Sequence, residues 1–339
     1  MFKKILLLSF PLLLMACHKG SPVSPPDENT QTNENKWREI AELYSERVFF
    51  CSAEVNGKIY LIGGYNGSTF YDEVEEYNLQ TNKSTVKNKM PEKIFGMAAA
   101  ETGGKIYTFG GRTESFYYGT TSNHTYQYDP VADSWTRKKN MPSSRAFLTA
   151  SAVDEKIYTI GGSELGYEGC STVQMYDPVS DTWTDKANLP KATGFHTAHV
   201  FNGKIYVVGG GISNSGSSMG TSYPYFFVYD PATDSWNIKA DIEPSRYMQG
   251  AVILNNKLFI CGGVSSYMQG EIDHYTLLYD LKEYDFNSDT WTARASMPSH
   301  RRAFQACAYN NKLYVFGGFT GDPKGSHSAL NSVLEYVPL

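Results

Sequence analysis

Residues 156–184 read KIYTIGGSELGYEGCSTVQMYDPVSDTWT. An alternating apolar segment from Lys156 to Ile160 runs into the pair Gly161-Gly162. A second such segment ends on Tyr176-Asp177, and a short turn leads on to Trp183. Period-two alternation bounded by glycine and turn residues is the signature of β-strands. The stretch therefore predicts three of them, one before the glycines, one ending in Tyr-Asp and one opened by the tryptophan.

The same landmarks recur along the chain. Glycine pairs stand at Gly63-Gly64, Gly110-Gly111, Gly161-Gly162, Gly209-Gly210, Gly262-Gly263 and Gly317-Gly318, spaced by 47, 51, 48, 53 and 55 residues. Trp37, Trp135, Trp183, Trp236 and Trp291 each precede the next pair by 26 residues, and Ser84 takes that place in the second repeat. Five residues before each pair is a lysine (Lys58, Lys105, Lys156, Lys204, Lys257, Lys312), and three before it an aromatic ring (Tyr60, Tyr107, Tyr158, Tyr206, Phe259, Tyr314). Upstream, Asn56-Gly57, Asn202-Gly203, Asn255-Asn256 and Asn310-Asn311 supply the positive φ angles of a two-residue hairpin, which adds a further strand to each repeat. The second repeat is less regular, with Thr102-Gly103-Gly104 at its turn and Asn78 where Tyr128-Asp129, Tyr229-Asp230 and Tyr284-Asp285 have the acid.

Four antiparallel strands repeated six times predict an all-β, six-bladed β-propeller, because such sheets bury their faces only by stacking radially. Ser52, Ala99, Ala150, Ala198, Ala251 and Ala306, each eleven residues before a glycine pair, are the small side chains that crowding near an axis demands. After Gly318 the last repeat reaches Glu335-Tyr336 and stops at Leu339, one strand short, while the segment around Trp37 is an orphan fourth strand. Pairing the two closes the ring and leaves no open edge.

Gly-Gly, Tyr-Asp and Trp at these intervals resemble the kelch repeat over residues 37–339, which implies a six-bladed kelch-type propeller with its last blade closed by an N-terminal strand. Exported propellers of this kind are similar to bacterial N-acetylneuraminate epimerases. That resemblance implies a sugar mutarotase chemistry with a general acid or base, for which Glu114 or Glu164 are the catalytic candidates, and an arginine to hold the sugar carboxylate. Kelch-related copper galactose oxidases match poorly, since no convincing Tyr, Cys and His set is found.

Ahead of the repeats, Lys3 and Lys4 precede an apolar run, Ile5 to Ala16, too short for a bilayer span of about 20 residues. This reads as a secretory signal, and Leu14-Met15-Ala16-Cys17 resembles the bacterial lipobox, which implies acylation of Cys17. Acyl chains contribute roughly 0.8 kcal/mol per buried CH₂. Residues 18–35 are polar and proline-rich, with Val23 as the single aliphatic side chain beyond proline. The expected organisation is a signal peptide (1–16), a lipidated Cys17 with a flexible tether (17–35) and a propeller (36–339), anchored in the cell envelope, at the outer membrane, as a monomer.

The 339 residues are 41% hydrophobic and 14% aromatic, enough for a large core, and the formal charge of −5 offers no electrostatic case for nucleic acid. Arg47, Arg145, Arg246 and Arg301 each stand sixteen residues before a glycine pair, with Ile94 and Thr193 in the other repeats. Four guanidinium groups at the mouths of the first strands read either as an anion-binding rim or as groups paired within their own repeats. The distance from glycine pair to following tryptophan, or to Ser84, varies most, so insertions concentrate in connections suited to carry binding groups. Arg112, Glu114, Tyr117 and Tyr118 fall in the second, Glu164, Tyr167 and Glu168 in the third, and Tyr267, Glu271, Asp273 and His274 in the fifth.

A ligand site of Arg47, Arg112, Arg145, Arg246, Arg301, Tyr167 and Tyr267 suits a protein, or an anionic sugar or peptide. No cofactor or metal is expected: His196 and His199 face opposite sides of a strand, and the cysteines lack metal-type spacing. Cys51 and Cys307 fall in adjoining blades, where a disulfide and two buried thiols are both open. Neither a phosphate-binding G-x-x-x-x-G-K-[ST] loop nor H-E-x-x-H occurs. The first functional reading is therefore a non-enzymatic binding module using its loop face, and the alternative is the sugar epimerase.

Overall fold

A computed structural model describes residues 35–113, 120–164, 168–212, 220–269, 272–322 and 326–338. Every blade is a four-stranded antiparallel sheet in sequential order. Blade I comprises Cys51–Val55, Lys58–Ile62, Val74–Asn78 and Lys83–Lys87, and blade II Ala98–Thr102, Lys105–Phe109, Thr125–Asp129 and Ser134–Lys138. Blade III comprises Thr149–Val153, Lys156–Ile160, Val173–Asp177 and Thr182–Lys186, and blade IV Thr197–Phe201, Lys204–Val208, Phe226–Asp230 and Ser235–Ile238. Blade V is Gly250–Leu254, Lys257–Gln269, Ile272–Asp285 and Thr290–Arg294. Blade VI takes Gln305–Tyr309, Lys312–Phe316 and Ser332–Val337 from the end of the chain and Lys36–Glu42 from its start.

Local chemistry accounts for these sheets. The turn between first and second strands holds two residues at positive φ, as at Asn202 (50°) and Gly203 (71°), which is what a right-twisted two-residue hairpin needs. The lysine that opens each second strand reaches an acid on the third, as in Lys156–Asp177 (2.9 Å) and Lys204–Asp230 (2.8 Å). In blade I, where Asn78 replaces the acid, Lys58 uses Glu76 instead (2.6 Å). Register places Tyr176 opposite Trp183, with ring centroids 4.9 Å apart, and the same pair recurs as Tyr229–Trp236 and Tyr284–Trp291.

Between blades lie six apolar layers. Tyr107 and Phe109 of blade II pack on Ile157 and Tyr176 of blade III, and Tyr158 and Ile160 of blade III on Ile205 and Tyr229 of blade IV. The last layer sets Tyr314 and Phe316 of blade VI against Ile59, Leu61 and Tyr77 of blade I, so the stack returns on itself. A fully buried Leu, Ile or Phe contributes about 1.5–3 kcal/mol, and each layer holds several. The closing strand pairs Trp37 with Tyr336 and Arg38 with Glu335, whose buried carboxylate also meets Lys312 at 3.1 Å. The strand expected to latch the ring does so.

One expectation is revised, and one of two open readings is selected. The fifth blade's second-to-third connection continues as paired strand to Gln269 and from Ile272, with a bulge between Cys261 and Gly263, rather than as a loop. Cys51 and Cys307 are free thiols, and burial pushes both up in pKa.

Candidate functional site

The connections that enter each first strand and those that leave each second strand emerge on one face, and a single backbone bridge joins them in every blade. These bridges are Val48 with Tyr65, Phe95 with Arg112, Ala146 with Ser163, Gly194 with Gly211, Tyr247 with Val264 and Arg302 with Phe319. One residue further in, the chain crosses the axis end in a left-handed conformation at Phe49, Gly96, Phe147, Phe195, Met248 and Ala303, with φ between 51° and 65°. Their backbones close a ring of hydrogen bonds. Phe49 N–H donates to Ala303 (3.0 Å), Gly96 to Phe49 (2.6 Å), Phe147 to Gly96 (2.6 Å), Phe195 to Phe147 (2.9 Å), Met248 to Phe195 (3.0 Å) and Ala303 to Met248 (2.9 Å). Bulky residues hold a positive φ only where surrounding structure compels it, and a closed circle of bonds supplies that compulsion.

The arginines belong to this architecture. Arg47, Arg145, Arg246 and Arg301 are at most 3% exposed. Each backbone carbonyl accepts the N–H of the second glycine of the preceding blade, as in Gly111 to Arg145 (2.8 Å) and Gly263 to Arg301 (2.8 Å). Each guanidinium turns back to the first glycine's carbonyl in its own blade, at 2.9 Å for Arg145–Gly161 and Arg301–Gly317. Arg47 also meets Glu75 at 3.2 Å, and Arg246 grips both oxygens of Asp280 at 2.9 and 2.8 Å. Arg145 reaches Thr159, Thr172 and Gln174, and Arg301 reaches Ser332. The anion-binding rim therefore gives way to the reading as groups paired within their own repeats: a charge that leaves water needs partners for its donors, and the terminal nitrogens of all four guanidinium groups find them inside their blades, while the buried Nε of Arg47, Arg145 and Arg301 has none.

Arg112 is also buried, its guanidinium 6.0 Å from the centre of the Phe147 ring. Glu164 is exposed, and its backbone carbonyl accepts the Thr121 hydroxyl at 2.8 Å. Tyr267 is 56% exposed on the blade V hairpin and lies flat on His274, centroids 4.9 Å apart. The hairpin is braced on both sides, by Ser266 N–H to the Ser222 hydroxyl (2.9 Å) and by the Tyr275 hydroxyl to Asp322 (2.6 Å). Glu114, Tyr117, Tyr118, Tyr167 and Cys17 lie outside the described residues.

Beneath the ring of hydrogen bonds lies an axial cavity of about 310 Å³. Its walls carry the small residues Ser52, Ala99, Ala150, Ala198, Ala251 and Ala306, together with His196 and His199. Burial pushes both histidines down to about 4, which keeps them neutral at physiological pH. His196 Nε2 lies 3.0 Å from the Thr149 hydroxyl. Both histidines touch the cavity, although sequence periodicity sets them on opposite sides of a strand.

Above the ring is an aromatic centre that sequence reasoning missed. The Phe49 ring lies 5.5 to 6.5 Å from those of Phe95, Phe147, Phe195 and Phe319, which come from four other blades. It therefore closes the cavity at the axis. Tyr65 and Phe70 stack at 5.2 Å beside it, and Phe70 stacks on Phe95. Phe49, Tyr65, Phe70, Phe195 and Met248 are each only partly buried. The available signal was an aromatic or methionine two residues after an arginine in Arg47-Val48-Phe49, Arg145-Ala146-Phe147 and Arg246-Tyr247-Met248.

A family model described as the KLHDC2/KLHL20/DRC7 Kelch-repeats domain matches residues 50–263 and 195–336. Kelch-like protein 7 of Rattus norvegicus is 43% identical over 209 residues, covering 62% of this chain and 33% of that protein. Kelch-like protein 23 of Mus musculus is 28% identical over 277 residues, covering 81% of this chain and 38% of that protein. The chain thus spans about a third of the length of these curated relatives. The solved structure of YjhT superposes with a TM-score of 0.75 at 18% identity, over 87% of this chain and 96% of that one, a likeness of fold. Six glycine pairs at the blade junctions, a tryptophan opening five of the six fourth strands and a model match across both halves of the ring agree, and the chain belongs to the kelch-repeat family.

Proposed function

We propose that this protein is an envelope-anchored binding module that engages a protein ligand through its loop face. The observation that carries the reading is the partly exposed aromatic group around Phe49, set at the centre of the face whose connections vary most in length. Exposed apolar surface rimmed by polar residues marks an interaction site, and a rigid scaffold under variable connections is the usual platform for one. Anchoring at Cys17 is compatible with it. The chain enters blade VI at Lys36 on the face opposite the loops, beside Val337. For the epimerase alternative, in which Arg112, Arg145 or Arg246 would hold the sugar carboxylate, the guanidinium groups of Arg145 and Arg246 are committed within their blades, which leaves the buried Arg112 as its candidate.

The test is to probe peptide and glycan arrays with the full-length protein in detergent, beside two double variants. Phe70→Ala with Tyr267→Ala alters the loop face, whereas Val131→Asp with Val179→Asp alters exposed turn tips on the opposite face. Peptide signals lost in the first and kept in the second support the reading. Signals lost only in the second, or confined to glycans, overturn it.

A further inference from the structure

The loop face has a charge pattern opposite to the one its arginines suggest. All six arginines in its connections, Arg47, Arg112, Arg145, Arg246, Arg301 and Arg302, are buried, and Arg47, Arg145, Arg246 and Arg301 turn their guanidinium groups into their own blades. Arg302 donates to the Gly321 carbonyl at 3.0 Å and lies over the Phe319 ring. The carboxylates of the same connections point the other way, with Glu46, Glu164, Glu168, Asp241 and Glu243 exposed. Exposed lysines among the described residues there are fewer. Lys93, Lys139 and Lys191 stand in the connections between blades, and Lys89 is already paired with Asp72 at 2.9 Å. Around the aromatic centre, solvent therefore meets mainly negative charge.

The two features meet in blade I. Phe70 precedes Tyr71, whose hydroxyl is pushed up in pKa by burial and by the nearby carboxylates of Glu73 and Glu46. An aromatic face next to carboxylates attracts a cation twice, through the ring quadrupole and through charge. An anionic ligand would meet repulsion on the rim and find no unburied guanidinium among the described residues of the loop-face connections.

Resting on the loop-face reading above, we infer that the ligand is a basic peptide segment, with lysine or arginine side chains next to apolar ones. The apolar groups settle on Phe49, Tyr65 and Phe70, and the cationic groups reach the surrounding carboxylates. Complementary charge of this kind chiefly sets partner choice and encounter rate, and it weakens as salt rises.

Binding to full-length protein in detergent is measured for three synthetic peptides of equal length, alternating Lys/Phe, Glu/Phe and Lys/Ser. The Lys/Phe peptide is expected to bind, and to weaken about tenfold between about 50 and 500 mM salt as screening sets in. Glu46→Gln with Glu164→Gln should weaken it by a similar factor. Val131→Lys with Val179→Lys, which changes net charge equally on the opposite face, should leave it within twofold. The inference is overturned if Glu/Phe binds as tightly, if Lys/Ser binds as well as Lys/Phe, or if the opposite-face pair weakens binding as much. Glu/Phe binding that Phe70→Ala abolishes sinks the charge assignment while leaving the loop-face reading intact. If no peptide responds to Phe70→Ala, both fall.

Discussion

The Asp234 carboxylate accepts the Tyr229 hydroxyl at 2.5 Å, and the same oxygen accepts the backbone N–H of Ala187, in the preceding blade, at 2.9 Å. Trp236 then donates its indole N–H to the Ala187 carbonyl at 2.8 Å. Tyrosine, aspartate and tryptophan thus clasp both polar groups of one residue across the blade junction. The arrangement recurs with Tyr176, Asp181 and Trp183 on Lys139, and with Tyr284, Asp289 and Trp291 on Ala240.

This clasp makes stability depend on acid. The Tyr229 hydrogen bond, with the Ala187 N–H behind it, holds the Asp234 carboxyl below its ordinary value, and Tyr284 does the same for Asp289. A carboxyl depressed in the folded state contributes stability that is present above its unfolded pKa of about 4 and is lost as pH falls through the folded value. Asp234→Ala should cost about 1–3 kcal/mol and Tyr229→Phe about 1 kcal/mol at neutral pH. Urea unfolding from pH 7 to pH 2 reads both, and Asp234→Asn should flatten the acid limb. An unchanged limb would show that the clasp carries no linked proton.

Arg246 should behave as structure. Replacing it by alanine removes the buried partner of a half-buried pair and leaves Asp280, 27% exposed, to be satisfied in part by solvent, at a cost of about 1–3 kcal/mol. A loop-face ligand should still bind the folded Arg246→Ala protein within about threefold, the scatter allowed for a group that does not touch it. Loss of binding with unchanged stability would restore Arg246 to the ligand site.

Glycine substitutions separate backbone conformation from crowding. Gly162 has φ +102°, and a Cβ there would lie 2.7 Å from the Ala146 carbonyl oxygen. Gly203 has φ +71° with nothing within 4 Å of a Cβ. Gly203→Ala should therefore cost about 1 kcal/mol from conformation alone, while Gly162→Ala must also displace backbone at a blade junction and should cost at least twice as much. Comparable unfolding midpoints for the two variants would remove the close approach as the reason for the glycine pair.

These cases explain what the sequence discloses. The glycine pairs, tryptophans and Tyr-Asp pairs act through their side chains or the lack of one, so their spacing displays the blades directly. The ring at Phe49, Gly96, Phe147, Phe195, Met248 and Ala303 acts through backbone N–H and C=O groups, and its residue types range from glycine to phenylalanine, so only the arginine two residues before Phe49, Phe147 and Met248 hints at it. The arginines were visible as charges at the strand mouths, but their direction depends on Asp280 and Glu75, which lie on third strands far along the chain. The aromatic centre is assembled from five blades, and only closure of the ring brings its members together.

The departure of Ser84 from the tryptophan pattern predicts where the ring is weakest. At five junctions an indole N–H holds the preceding blade, including Trp37 on the Ala295 carbonyl at 2.8 Å. Between blades VI and I, Ser84 stands in that place with its hydroxyl buried and without a partner, and Asn82 replaces the acid. The Tyr44 hydroxyl reaches the Ser84 carbonyl at 3.3 Å, but it does so in solvent. The axis end of this junction is intact, since Phe49 still bonds Ala303 and Gly318 still bonds Arg47, so loosening should be confined to the outer strands. Amides of Lys36–Glu42 should exchange with deuterium faster than those of Ser134–Lys138. Ser84→Trp with Asn82→Asp should slow that exchange and add about 1–2 kcal/mol to unfolding, the contribution of a hydrogen bond plus newly buried ring surface. Equal exchange in the two strands would show that the layer of Tyr314, Phe316, Leu61 and Tyr77 is sufficient to close the ring, and that the clasp at the other junctions serves something besides closure.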